Sequence, residues 1–489
     1  MIRSLLSFEL NKKQTPFQIT KRLVEFIEKY SSNNPLINSL LLDINKNTKI
    51  PIKTLQQKLN QILFRSFDFK FNEFKNYDLF YIFIDFSKFF TITLINIVGH
   101  ILLNFTEIKK KNFELLCDNV FSQIDVDHYT NLIKNFKRVC LLGSFSKEKK
   151  IKNEEYFKFN ILFIGRSEIS MKKKVFFLIF GIKIFFFSIK FRLNLFKLFT
   201  YLIYDIYKSN HIFSNISAKY YVNQKFYSTS PIFNHYFKKS GGKTTSCTQK
   251  NLCALSLSCF VYTDVMFTLG KDQGKICNKL GGRINYLKPV GSLFMEGRWF
   301  RKKKDLKNVP KSDILVLGIN TLYNSRHYVN DYYEKNYYKF YLNWLKKLST
   351  DFSKKKIILK HHNDYSIDPR ERNIIDKSNI KVIIEDQSIN ASYAYAFNSK
   401  IILSFASTMI VEILGHGKEA YFIDPNLKGD QWFRDIKNIK KFRLGSYKSI
   451  QSIIKKKTKT YIKKDLSNYY CLNSKNTSKK IASFFKNNC

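Results

Sequence analysis

KIILSFASTMIVEILGHGKEAYFIDP, residues Lys400 to Pro425, decides the fold class. Ile401 to Leu403 is a short apolar run that ends in a small-residue turn, Ser404, Ala406, Ser407 and Thr408. A helix-patterned segment follows, closed by Gly415 and Gly417, and a second apolar run, Ala420 to Ile423, leads into Asp424 and Pro425. Strand, turn, helix, strand is the repeating unit of a parallel α/β sheet. Ser407 and Thr408 sit where the helix begins. Two hydroxyls there join backbone N–H groups and the positive end of the helix dipole, a combination that seats a phosphate. Glu412, four residues beyond Thr408, lies one turn up the same face, where a carboxylate can take the hydroxyls of a ribose attached to that phosphate. The plainer readings are that Ser407 and Thr408 only cap a helix and that Glu412 is a solvated helix acid.

Working outward, the preceding residues repeat the pattern. Asp313 to Ile319 reads as a strand with Gly318 near its end, Tyr328 to Leu348 as a long aromatic helix, Lys356 to Lys360 as a strand, Lys381 to Glu385 as another, and Ser392 to Phe397 as a short helix. Strands alternating with helices imply a doubly wound parallel sheet, which we place at 311–436 as a second domain. All strand exits of such a sheet lie on one edge. Lys360, His361 and His362 would therefore converge with Ser404, Ser407 and Thr408, offering a cation, imidazoles and backbone N–H groups to a diphosphate or phosphodiester. Charge stabilisation of a departing nucleotide is what metal-free glycosyl transfer requires. Lys360 reads equally as one more lysine in a lysine-rich chain. Residues 437–489 form a Lys-rich, mostly helical tail.

The first half is less regular. Residues 1–135 read as mainly helical, with Leu79 to Phe105 hydrophobic but interrupted by Asp85, Lys88, Asn96 and His100; a buried helical hairpin fits this better than a membrane span. A first α/β domain, 136–300, opens with the strand Val139 to Leu142 and a second at Phe159 to Ile164. The loop that follows carries Glu168, a candidate general base at a strand exit or a plain solvated acid. Glu296 is the other candidate base. Between them, 172–208 is rich in Phe, Ile and Leu, with Lys183, Lys190 and Lys197 every seven residues on one helical stripe. Such a segment lies in an anionic membrane surface or covers a core with its lysines in solvent. GGKTT at 241–245 is not a P-loop, because Phe237 stands where that pattern needs glycine. Asp264 to Leu269, Gly270 to Leu280 and Asn285 to Val290 read as strand, helix and strand, and Arg298 to Pro310 as the linker.

A chain of 489 residues with 44% hydrophobic residues holds two domains rather than one small core. Its formal charge of +46 suits anionic lipid or phosphorylated substrates. Phe, Ile, Asn, Tyr and Lys, which share A/T-rich codons, are all abundant, so part of the lysine excess is compositional, and no aromatic-basic signature points to nucleic acid. The 8 cysteines show no CxxC pair and no histidine at zinc spacing, which predicts reduced thiols and no metal or other cofactor. Met1 to Leu10 lacks the sustained apolar region of a signal peptide, and a cytoplasmic protein is expected.

IILKHHND, together with SYAYAFNSKIILSFASTMIVEILGHGKEAYFIDP, resembles the second half of GT-B glycosyltransferases of bacterial surface polysaccharides, including capsule-type, sialyltransferase-like and CDP-glycerol-transferring relatives. TDVMFTLGKDQGKICNKLGG followed by YLKPVGSLF resembles the strand, helix and strand that close their acceptor domain. The resemblance spans residues 215 to 430. It implies an α/β fold of two Rossmann-like domains with an N-terminal helical extension. It further implies a nucleotide-sugar donor and a glycan or glycolipid acceptor, used at the inner face of a membrane. A His-Pro element and a Ser/Thr pair hold the nucleotide in that family. By similarity His361 or His362 and the pair Ser407, Thr408 take those roles, with Glu412 on the ribose side; the chain departs from the pattern in having Asn363 where proline is expected.

Overall fold

Two all-parallel sheets form the frame. The first contains β1 (Lys111–Asp118), β2 (Val139–Gly143), β3 (Glu154–Lys158), β4 (Ile216–Asn223), β5 (Thr244–Cys247), β6 (Tyr262–Thr268) and β7 (Arg283–Pro289), in the order β3-β2-β1-β4-β5-β6-β7. The second contains β8 (Ser312–Leu317), β9 (Ile357–His361), β10 (Lys381–Ile384), β11 (Ser399–Ser404), β12 (Ala420–Ile423) and β13 (Arg443–Leu444), in the order β10-β9-β8-β11-β12-β13. These come from a computed structural model, which describes residues 16–70, 79–103, 110–120, 122–143, 154–158, 170–248, 258–271, 273–300, 309–318, 338–361, 367–384, 392–404, 407–425, 436, 439–456 and 464–488. In both sheets the chain starts in the middle, walks to one edge, then returns and lays its remaining strands on the other side. That is the doubly wound Rossmann order, and two such domains in succession make a GT-B fold. The reversal falls between β1 and β4 in the first sheet and between β8 and β11 in the second.

The strands read as apolar runs because both their faces are covered. All of β9 and β12 is buried, as is nearly all of β8. The quoted stretch folds as its pattern predicts: β11 pairs in parallel with β8 and β12, and the helix Thr408–Gly415 lies between β11 and β12 in the chain.

The first sheet begins earlier than the sequence suggests, since β1 lies inside the stretch expected to be helical. Leu115, Leu116 and Cys117 are all buried, so β1 lacks the alternation that marks a half-exposed strand. Ahead of it stand α1 (Pro16–Asn33), α2 (Pro35–Thr48), α3 (Ile52–Lys70) and α4 (Leu79–Leu103); α4 is one continuous helix where a hairpin was expected. α5 (Gln123–Ile133) joins β1 to β2. The basic stretch is two helices, α6 (Met171–Phe191) and α7 (Phe196–Asn215), broken at Arg192 in the left-handed conformation. They form the crossover from edge strand β3 back past the reversal to β4. α8 (Pro231–Lys238) then leads to β5, with the glycines of GGKTT in the turn between them.

One core unites α1 to α4 with α6, α7 and the first sheet through Phe177, Phe199, Leu202, Phe260 and Met266. On another, α5 and the last helix, Thr477–Asn488, meet residues of β1, β4 and β6. The chain therefore returns from the second domain to finish the first. On the way, the segment around Cys471 runs so close to Gly415 that a Cβ there would stand 2.4 Å from the Cys471 carbonyl oxygen. Cys117, Cys140, Cys247, Cys259, Cys277 and Cys471 are free thiols.

Candidate active site

In doubly wound sheets, ligands bind outside the carboxyl ends of the strands at the reversal of strand order. In the second domain that point lies between the exits of β8 and β11. Ser404 is buried, and its hydroxyl accepts the Ser407 N–H at 3.2 Å, which fixes the turn. Ser407 is the N-cap of the helix, its hydroxyl accepting the Met409 N–H at 3.3 Å. Thr408 stands half-buried at the first helical position. Ser407 thus caps the helix, as the plainer reading of the sequence has it.

Lys360 also lies on this edge. Its ammonium donates to the His361 carbonyl at 2.8 Å, which brings a buried cation to the end of β9. His361 points the other way, as strand alternation requires. Its imidazole is buried, with Nε2 3.0 Å from the Glu371 carboxylate, which also accepts the Tyr341 hydroxyl. The ring lies across Gly318, where a Cβ would stand 2.7 Å from it. His361 therefore braces β8 against the helix Pro369–Asp376, a correction to its expected place at the ligand. Removing Glu371 as alanine should strand two buried polar groups. We expect a loss of about 1–3 kcal/mol in urea denaturation. His362 and Glu168 lie outside the described residues.

Glu412 and Glu296 are corrected in the same sense. Glu412 is 3% exposed and accepts hydrogen bonds from the Tyr393 hydroxyl at 2.7 Å and from the Ser292 hydroxyl. Burial raises its carboxyl to about 7 even with Arg298 nearby. It is no solvated acid, and a ribose would have to replace one of these partners. Ser292 caps the helical turn Leu293–Met295 just beyond β7, so this bond joins the two domains. Glu296 receives the Ser478 N–H at 2.8 Å and its hydroxyl at 2.5 Å. Buried and engaged in this way, it holds the start of the last helix and is not placed as a base.

The reversal in the first domain carries residues that the sequence reading missed. Asn119, left-handed at φ 61°, follows β1, and Asn223 ends β4 with Gln224 just beyond it. Asn119 Nδ2 donates to Asn223 Oδ1 at 3.0 Å, and Gln224 Nε2 donates to the Asn119 carbonyl at 2.9 Å. The Gln224 oxygen therefore faces His128 Nδ1, at 3.0 Å. His128 donates there, and its Nε2 accepts the Arg298 Nε–H at 3.2 Å. Burial and the Arg298 charge hold this histidine well below its ordinary value, hence neutral.

Arg298 belongs to a π-helical turn, Glu296–Phe300, with its guanidinium 3.8 Å from the Phe294 ring centre. It touches the first domain through His128 and acts electrostatically on Glu412 and Tyr393 of the second. Asp118, half-buried at the end of β1, accepts the Tyr221 hydroxyl at 3.0 Å and the Asn119 N–H at 2.6 Å, and burial raises its carboxyl. A left-handed asparagine after an apolar run was the available signal for this edge. Arg298 gave none, lying in what read as linker.

The chain matches no protein-family model and no curated protein sequence. Among solved structures it is similar to a UDP-GlcNAc 2-epimerase from Neisseria meningitidis bound to UDP-GlcNAc. The identity is 11% over 77% of this chain and 100% of that one, with a TM-score of 0.41. It is also similar to a UDP-glucosyltransferase from Polygonum tinctorium, at 8% identity over 78% of this chain and 100% of that one, with a TM-score of 0.37. Both names are those of nucleotide-sugar enzymes. At such identities and scores the likeness is one of fold and carries no argument beyond the strand order already described.

Proposed function

We propose that this protein transfers a sugar from a nucleotide-sugar donor to a glycan or glycolipid acceptor. The observation that carries the reading is the pairing of two doubly wound sheets, joined by the bond from Ser292, just beyond β7, to Glu412, with Arg298 reaching from His128 of the first domain toward Glu412 of the second. The donor phosphates take the helix start at Ser407 and Thr408. Arg298 and Lys360 supply positive charge as the nucleotide leaves, and no metal is invoked. Asp118 is the general base this reading assigns, because it is a carboxylate of the first domain at the reversal edge whose burial favours accepting a proton. Transfer of a polyol phosphate from a CDP-linked donor would use the same seat.

The test is a binding and turnover panel of UDP-, GDP-, CMP- and CDP-linked donors. Ser407→Ala should weaken donor binding by roughly 1 kcal/mol, about fivefold. Arg298→Ala should weaken it more, while Asp118→Asn should lower kcat and leave donor affinity in place. Absence of binding to every donor would sink the reading. The occupied carboxylates of Glu412 and Glu296 favour one rival, a GT-B-fold protein that binds a glycan without turnover. Donor binding without hydrolysis or transfer would select that rival.

A further inference from the structure

We infer that the outer face of α4 and α6 is a docking surface for an anionic lipid bilayer, with both helices lying in the plane of the membrane. This inference stands apart from the donor reading. The two helices pack side by side: Phe185 of α6 lies 5.2 Å from Phe83 and 4.9 Å from Phe86 of α4, and the buried Lys174 donates to the Asn96 carbonyl at 3.1 Å. Their inner faces belong to the protein core, through Ile82 and Phe89 of α4 and Phe177, Phe180 and Ile184 of α6.

The outer faces are apolar and in solvent. On α6, Val175, Ile179, Ile182 and Phe186 form one stripe at spacings of four, three and four, and Ile179 and Phe186 are 61% and 63% exposed. Lys172 precedes the stripe by one turn and Lys190 follows it by one turn, both exposed, with Arg192 just beyond. Phe80, Phe83, Leu94, Val98 and Ile101 make the matching stripe on α4, with exposed Lys88 beside it. α6 contains no acid. The only acid of α4, Asp85, accepts the Asn194 side-chain amide at 2.7 Å.

An apolar strip closed at both ends by cations matches acyl chains bordered by anionic head groups. Charge decides between possible occupants. A second copy of this chain would set lysine against lysine and add to the repulsion of a molecule of formal charge +46. Spanning the bilayer would tear the inner faces of both helices from the core. Of the basic stripe seen in the sequence, Lys183 and Lys190 share one flank of α6, where Lys183 pairs with Asp43 of α2 at 2.6 Å, while Lys197 lies beyond the bend on α7.

The test is flotation of the full chain with vesicles of phosphatidylcholine alone or mixed with phosphatidylglycerol. Wild type should float with the mixed vesicles only and be released by salt. The pairs Ile179→Asp with Phe186→Asp, and Lys172→Glu with Lys190→Glu, should each cut the bound fraction about tenfold or more at unchanged Tm. Wild type left at the bottom of both gradients would overturn the proposal, as would variants that float like wild type. So would resistance to alkaline carbonate extraction, which marks spanning, or a stable dimer in sedimentation equilibrium that Ile179→Asp with Phe186→Asp dissolves.

Discussion

Glu412→Gln should flatten the pH dependence of stability between about pH 5 and about pH 8, so that the variant overtakes the wild type at the alkaline end. Burial lifts the Glu412 carboxyl from its ordinary value of 4.5 to about 7. The folded state therefore holds this proton more tightly than the unfolded chain does. Stability from this source is fully present below about 4.5 and is lost as pH rises through about 7. The shift corresponds to roughly 3 kcal/mol at most. Glutamine keeps the shape and both contacts: its oxygen can accept from Ser292, and its amide can donate to Tyr393. The buried His128 titrates in the opposite sense, so the quantity to measure is the difference between wild-type and variant urea midpoints at each pH. A constant difference across the range would show that Glu412 carries its charge with no penalty in the folded protein.

Phe485→Ala should cost about 3–5 kcal/mol, the largest loss expected of any substitution in the tail. Phe485 is fully buried, stacked on Tyr220 of β4 at 5.1 Å, and its ring centre lies 5.9 Å from that of Phe267 of β6. Lys479, exposed on the same helix, should be replaceable by alanine within about 0.5 kcal/mol. Urea unfolding followed by far-UV circular dichroism checks both. Equal effects would mean that the last helix is an appendage. A large effect confined to Phe485 means that the first domain is not complete without the helix Thr477–Asn488.

Local pattern made much of the frame legible. Ala420–Ile423 is the strand expected there, and the helix starts at Thr408, because a buried parallel strand, a small-residue turn and a short amphipathic helix leave strong local marks. β1 escaped because a strand buried on both faces has no period of two to find. The continuity seen across 172–208 hid a bend because Arg192 takes a left-handed conformation without glycine.

The site was legible by position and not by direction. The sequence could set Lys360 and His361 at a strand exit, and alternation alone says that two neighbours cannot both face the ligand. Which one does depends on Glu371 and Tyr341, contributed from elsewhere in the chain. Glu412 and Glu296 are similar. Their partners Ser292 and Ser478 lie more than a hundred residues away in sequence, and no local pattern announces them.

The returning tail has a mechanical consequence. Two segments cross between the domains, one just after β7 and one around Leu472; they touch where the Ser292 N–H donates to the Ser474 hydroxyl at 3.0 Å, and the second is also tied to the exit of β6, where the Leu472 N–H donates to the Leu269 carbonyl at 2.8 Å. Two bodies joined at a single thread can swivel freely. Joined by two plies stitched together, they can only swing about that joint, like a door on a short hinge. A swing that keeps these bonds leaves the knuckle still and moves the far rim of each sheet most.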